Sequence, residues 1–230
     1  MILQLTGVRA AYGRVEVLHG VDLSVEAGSV FALLGANGAG KTTTLNVIAG
    51  LHPVTAGDVI VAGRRVNGAR PDDLARRGLC LVPEGRGVFP NLTVRENLLM
   101  ATHTGRSVSE VEDVAYTRFP RLTDRRTQAA GTLSGGEQQM LALARGLACD
   151  PAVLLLDELS MGLAPMVVAD LYEKVAGIAA DGVTILVVEQ FAKAVLGVAD
   201  CAAIMVNGRV AAFGRPEELS GELSAAYLGA

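Results

Sequence analysis

Ser29-Val30-Phe31-Ala32-Leu33-Leu34-Gly35-Ala36-Asn37-Gly38-Ala39-Gly40-Lys41-Thr42-Thr43-Thr44-Leu45 decides how the rest of the chain is read. An apolar, strand-length run passes through a glycine-rich turn into an apolar helical run, and Gly35 to Thr42 fits G-x-x-x-x-G-K-[ST] in the strand–loop–helix context that this motif requires. The glycines let backbone N–H groups turn inward as an anion nest, and the helix N-terminus adds the positive end of its dipole. Lys41 then reaches the β- and γ-phosphates as a point charge, and the Thr42 hydroxyl faces Mg²⁺. A glycine-rich turn with a stray lysine is the weaker reading, because the chain has only three lysines, Lys41, Lys174 and Lys193.

Downstream, Val153-Leu-Leu-Leu-Asp157-Glu158 is a buried strand ending in two carboxylates. Ligands of open α/β sheets sit beyond the carboxyl ends of the strands, which puts Asp157 beside the phosphate loop as the partner of Mg²⁺ and Glu158 where a general base polarises water. Around this strand, residues 166–179 read as a helix, 183–189 as a buried strand, 191–198 as a short helix and 202–206 as a strand, with a turn at Asn207-Gly208. Continuous apolar strands between helices imply parallel pairing with both faces covered. Residues 2–5, 21–25 and 58–62 also read as strands; the first stretch, before any long helix, looks antiparallel, and from Ser29 onward the pattern changes to strand, glycine-rich loop, helix. Between about 92 and 128 the apolar positions Val94, Leu98, Leu99, Val111, Val114 and Phe119 suggest a small helical insert.

Leu133-Ser134-Gly135-Gly136-Glu137-Gln138-Gln139 separates these two halves. Ser134 and Glu137 make a capping box that opens a helix over 137–149. Two glycines in a first turn each forfeit up to ~1 kcal/mol of helix propensity, which suits a phosphate approaching bare backbone there. The chain's own loop already takes one phosphate tail, so this second anion site suits a nucleotide held by a partner subunit.

With a net charge of −4 and isolated arginine pairs (Arg64-Arg65, Arg76-Arg77, Arg125-Arg126), the chain lacks the basic face of a nucleic-acid binder. No N-K-x-D is present, which argues against guanine nucleotides. Cys80, Cys149 and Cys201 are far apart and form no C-x-x-C, so they read as reduced thiols rather than disulfides or a zinc site, and His19, His52 and His103 fit no metal spacing and read as structural or surface residues. The longest apolar runs are far shorter than the ~20 residues of a membrane helix, and no signal peptide is visible, so a cytoplasmic location is expected. A length of 230 residues allows one large core with at most a small satellite.

Taken together, the loop, L-S-G-G-E and V-L-L-L-D-E resemble the ABC ATPase family over essentially the whole chain. The resemblance implies an α/β fold: a P-loop NTPase core (about 1–85 and 132–230) with an N-terminal antiparallel β-subdomain, and a helical subdomain at about 86–131. It implies ATP and Mg²⁺ as ligands, and a head-to-tail dimer in which one subunit's phosphate loop and the other's Ser134 to Glu137 enclose each ATP. Tyr12 matches the aromatic residue that stacks on adenine, and Ser160 to Ala164 matches the loop that crosses the dimer interface. Two positions depart from the general pattern. Glu84 stands where a glutamine usually contacts Mg²⁺ and water, and Gln190 where a histidine usually contacts the γ-phosphate. Gln190 donates a hydrogen bond but cannot become cationic. Leu159 and Phe191 are further departures. Val82-Pro-Glu-Gly-Arg86 and Val188-Glu-Gln190 resemble the ATP-binding subunits of branched-chain amino acid importers, with urea and amide importers also similar. That implies permease subunits contacted near Phe89, a sister ATPase subunit, an indirect solute-binding protein and the cytoplasmic face of the membrane.

Overall fold

The computed structural model describes residues 1–85 and 87–219. In chain order, β1 (Leu3–Tyr12) and β2 (Val15–Val25) form a hairpin, and β3 (Val30–Leu34) runs through the glycine-rich loop into α1 (Lys41–Ile48). β4 (Ala56–Val61), β5 (Arg64–Arg65), α2 (Pro71–Arg76) and β6 (Leu79–Val82) follow. α3 (Val94–Leu99) and α4 (Val108–Arg118) make up a helical stretch completed by 3₁₀ turns. α5 (Gly135–Ala148) leads to β7 (Val153–Asp157), α6 (Pro165–Ala180) to β8 (Thr184–Glu189), and α7 (Ala192–Val195) to the hairpin of β9 (Cys201–Val206) and β10 (Arg209–Gly214).

The strands form two sheets. One has four antiparallel strands in the order β2-β1-β4-β5, and the other has six in the order β10-β9-β3-β8-β7-β6. In the larger sheet β9, β3, β8, β7 and β6 are mutually parallel and β10 closes one edge antiparallel. Every residue of β3, β7 and β8 is buried, as expected for parallel strands covered on both faces. Alternate residues of β3 serve the two faces. Phe31 and Leu33 pack toward the antiparallel sheet and α1, whereas Val30, Ala32 and Leu34 pack toward α5, α6 and the helical stretch.

Several expected elements change extent. The strands expected at 2–5 and 21–25 lengthen to β1 and β2, whose register shifts (after Leu5, for example) carry the pairing past polar residues. The helix expected over 137–149 starts two residues earlier, with Ser134 as its N-cap and a complete capping box to Glu137. The helix expected over 191–198 shrinks to α7. α2, β5, β6 and β10 carried no signal strong enough to be named. β6 is four residues long and exists as a strand because Leu79 to Val82 pair in register with Val153 to Leu156. Residues 94–132 are helical apart from turns. Their buried Leu98, Val111, Ala115, Phe119 and Leu122 join the same apolar core as Met140 and Leu141 of α5, while Leu99 and Val114 stay half-buried. Arg86 and residues 220–230, part of the expected subdomain boundaries, lie outside the described residues.

Candidate active site

The carboxyl ends of β3, β7 and β8 converge on the loop between β3 and α1. Gly35 and Gly40 are needed there for close approach. A Cβ on Gly35 would lie 2.4 Å from the Met205 carbonyl oxygen, and Gly40, with φ of 105°, caps α1 against Leu18 and the Met205 side chain. Gly35, Ala39 and Gly40 are buried, whereas Ala36, Asn37 and Gly38 project outward. Lys41 is only 4% exposed. Its Nζ donates to the carbonyls of Gly35 (2.9 Å) and Ala36 (3.2 Å) and lies 3.3 Å from Glu158 Oε1, so the loop is wrapped around the ammonium. The Thr42 hydroxyl donates to Asp157 Oδ1 at 3.2 Å, and the buried Thr43 and Thr44 follow in α1, Thr44 bonding back to Gly40.

Asn37, Gly38, Lys41, Thr42, Glu84 and Glu158 line an open cleft of about 480 Å³. Val17 and Met161 also line it. The sequence offered no sign of Val17, an ordinary apolar residue that acquires this role only through the position of β2, whereas Met161 belongs to the Ser160 to Ala164 loop that the resemblance had singled out. Asp157, 3% exposed, has its carboxyl pushed up from 3.8 to about 6. Burial is the main cause; the charges of Glu158 and Glu84 add to it, and Thr42 and Lys41 oppose it. Glu158 has a left-handed backbone, φ 48°, and its N–H donates to the Val188 carbonyl at 2.9 Å. A non-glycine residue in this conformation is strained by roughly 1–2 kcal/mol. The strained turn follows the carboxyl end of β7 and leaves the carboxylate after Asp157 facing Lys41. Gln190 follows Glu189, which pairs with Leu34 directly before Gly35, so Gln190 leaves the sheet next to the loop.

This donor set fits a hard divalent cation. A hydroxyl and a buried carboxylate meet at Thr42 and Asp157, and the crowding of Asp157, Glu158 and Glu84 favours positive charge. No group of three or more His, Cys, Asp or Glu side chains forms a ready-made cage among the described residues. Mg²⁺ does not need one, since it uses one or two carboxylates together with phosphate oxygens and water.

Two other expected features lie outside the cleft. Tyr12, 49% exposed at the end of β1, stacks on His52 (centroids 4.1 Å apart, planes at 25°), and the His52 ring is 3.1 Å from the Ala11 carbonyl. The histidine therefore backs the tyrosine ring, a role the sequence did not suggest. At the N-terminus of α5, Glu137 Oε2 accepts from the Ser134 N–H and hydroxyl at 2.9 and 2.8 Å, and Arg125 pairs with Glu137 at 2.7 Å. Gly136 is buried, and a Cβ there would meet Val167 Cγ1 at 2.5 Å. Packing under α6 thus requires Gly136 to be small, a reason additional to the approach of a phosphate.

The pattern of the family described as "ABC transporter" matches residues 18–160. The high-affinity branched-chain amino acid transport ATP-binding protein BraG of Pseudomonas aeruginosa is 41% identical, with 91% of each chain covered. A probable branched-chain amino acid transport ATP-binding protein of Archaeoglobus fulgidus is 37% identical over 95% of this chain and 94% of the relative. Among solved structures, the ADP conformation of an ATP-binding cassette of an ABC transporter superposes with a TM-score of 0.89 at 29% identity, covering 100% and 99% of the two chains.

Proposed function

Starting from the fact that the chain belongs to the ABC transporter family and is an ATP-hydrolysing, ATP-binding subunit, we propose that it powers an importer of branched-chain or other hydrophobic amino acids. The observation that carries the mechanism is the meeting of Lys41, Thr42, Asp157 and Glu158 at one end of the parallel sheet. In this reading the backbone N–H groups from Gly35 to Thr43 cradle the phosphates of ATP, Lys41 spans the β- and γ-oxygens, and Tyr12 stacks on adenine. Thr42 and Asp157, with Glu84 close by, would hold Mg²⁺, which supplies charge neutralisation on the phosphates. Glu158 takes the proton of the attacking water, and Gln190 donates a hydrogen bond to the γ-phosphate. Ser134, Gly135, Gly136 and Glu137 are not among the residues that line this cleft. They serve the ATP of a second ATPase subunit, identical or sister, once the two associate head to tail.

The transport part of the proposal rests on the two branched-chain relatives and on a surface suited to a permease. Leu51, Leu79, Leu81, Pro83 and His103 line an apolar groove of about 360 Å³ between β6 and the helical stretch. Phe89 stands exposed nearby, with the Arg145 guanidinium 4.8 Å above its ring and with buried Asn97 bonded to both its N–H and its carbonyl. Among the described residues no helix is long and apolar enough to cross a membrane, so attachment to the cytoplasmic face would come through the permease and solute capture through a separate binding protein. Glu84, a further carboxylate in the cleft, favours a second reading in which this subunit turns over slowly beside a faster sister.

Mg²⁺-ATPase activity of the purified subunit, measured beside Glu158→Gln with size-exclusion chromatography in ATP, tests the mechanism. Loss of at least 100-fold in turnover with an ATP-trapped dimer is expected, from the usual worth of a general base. Full turnover in the variant would remove Glu158 as base. Uptake of labelled leucine against urea, with the permease present, tests the solute.

A further inference from the structure

Glu189 is 1% exposed, and among the described residues no cation pairs with it. Its carboxylate is held by uncharged donors: the Ser160 N–H at 2.9 Å, the Ser160 hydroxyl at 2.7 Å and the Tyr172 hydroxyl at 2.5 Å. Burial and the adjacent carboxylate push the Tyr172 phenol up, which keeps its proton in place for donation. A buried carboxylate satisfied by neutral groups is a costly way to fill a core. It is, however, a stiff way to fix a turn, because both oxygens hold one residue through its backbone and its side chain.

The turn so fixed is the one that carries Glu158. Left-handed strain at a non-glycine residue persists only where the surroundings over-determine it. Here the Glu158 N–H is tied to the Val188 carbonyl, and Ser160, two residues on, is tied to the Glu189 side chain. Both anchors lie at the end of β8, and the next residue is Gln190. Tyr172 extends the same carboxylate's hold to α6.

We propose that Glu189 is a positioning residue that joins the Glu158–Ser160 turn to Gln190, so that the Glu158 and Gln190 side chains meet the γ-phosphate as one unit. The inference rests on the roles proposed above for Glu158 and Gln190. Its functional sign is a split: nucleotide binding, which uses the loop and Lys41, is spared, and the chemical step is not. A reacting group misplaced by about 1 Å costs on the order of 100-fold in rate, so partial loosening by Glu189→Gln is set at about tenfold or more.

The test uses the whole subunit and compares Glu189→Gln, Ser160→Ala, Tyr172→Phe and Ser160→Thr. ATP affinity is read with a fluorescent ATP analogue, and kcat at saturating Mg-ATP. Glu189→Gln is expected to lower kcat about tenfold or more with affinity within about twofold, and Ser160→Ala to lower it less. Ser160→Thr, which keeps the hydroxyl, should restore the wild-type rate. Adding Ser160→Ala to Glu189→Gln should cost less than the sum of the two single effects, because both weaken the same tie. If Glu189→Gln does not fold, Ser160→Ala and Tyr172→Phe carry the test, each losing one donor. Unchanged kcat in these variants, or a fall in kcat that merely tracks affinity and melting temperature, overturns the inference. Glu158→Gln run in parallel separates the two failures. If it retains turnover, the proposed base is wrong; if it is dead while the Glu189 and Ser160 variants are normal, only the positioning role is wrong.

Discussion

Asp157 closes β7 against Thr42, and its carboxyl, raised from 3.8 to about 6, is ionised at neutral pH against the preference of the folded chain. A carboxyl whose folded pKa lies above its unfolded value contributes stability below the unfolded pKa and loses it as the pH climbs through the folded one. Ionised Asp157 therefore costs the nucleotide-free subunit about 3 kcal/mol above pH 7 and about half of that at pH 5. Asp157→Asn removes the charge but keeps an oxygen to accept from Thr42, which bonds there at 3.2 Å. In urea unfolding followed by circular dichroism, with EDTA and no nucleotide, the variant should be more stable than wild type by about 2–3 kcal/mol at pH 7.5. The gain should shrink to about half at pH 5, where wild-type Asp157 is already mostly protonated. Mg-dependent turnover should be lost at both pH values, because the carboxylate the cation would use is gone. A variant less stable than wild type at pH 7.5, or a gain that does not change with pH, would show that Asp157 is not under electrostatic strain.

Two further substitutions probe the outlying parts of the site. Tyr12→Ala leaves His52 without its ring partner and should weaken ATP binding by about 1–3 kcal/mol, the usual worth of a base–aromatic stack, while kcat at saturation stays within about twofold; titration with a fluorescent ATP analogue reads this directly. Gly136→Ala drives a methyl to 2.5 Å from Val167 Cγ1. It should cost about 1–3 kcal/mol by overpacking and weaken the ATP-driven dimer seen by size-exclusion chromatography. Val167→Ala in the same chain makes room and should restore stability; if the double variant is as unstable as Gly136→Ala alone, the packing explanation fails.

Local chemistry made much of this site readable in advance. The phosphate loop, the capping box at Ser134 and Glu137, and the strand ending in Asp157-Glu158 each depend on residues close together in the chain, whose spacing imposes backbone geometry on short-range grounds. Apolar strands were readable for the same reason, since burial on both faces leaves β3 wholly apolar and confines polar residues to the strand ends in β7 (Asp157) and β8 (Thr184 and Glu189). The short elements were not, because β6 becomes a strand only by pairing with β7.

What the sequence by itself determined, then, is which groups the chain carries: a glycine-rich strand–loop–helix turn with one lysine, a threonine hydroxyl directly after it, and two carboxylates at a strand end. What only the tertiary structure decided is how those groups are held. Parallel register sets Glu189 beside Leu34 and Asp157 beside Val188. His52 comes under Tyr12 although 40 positions separate them (52 − 12), Val167 presses on Gly136, and a buried glutamate fastens the turn that aims Glu158. The physical reason is that motif residues act through backbone and charge at short separation, which composition and spacing record. Support from a buried side chain depends on which distant elements the packed core brings within about 3 Å of one another, and no local pattern encodes that.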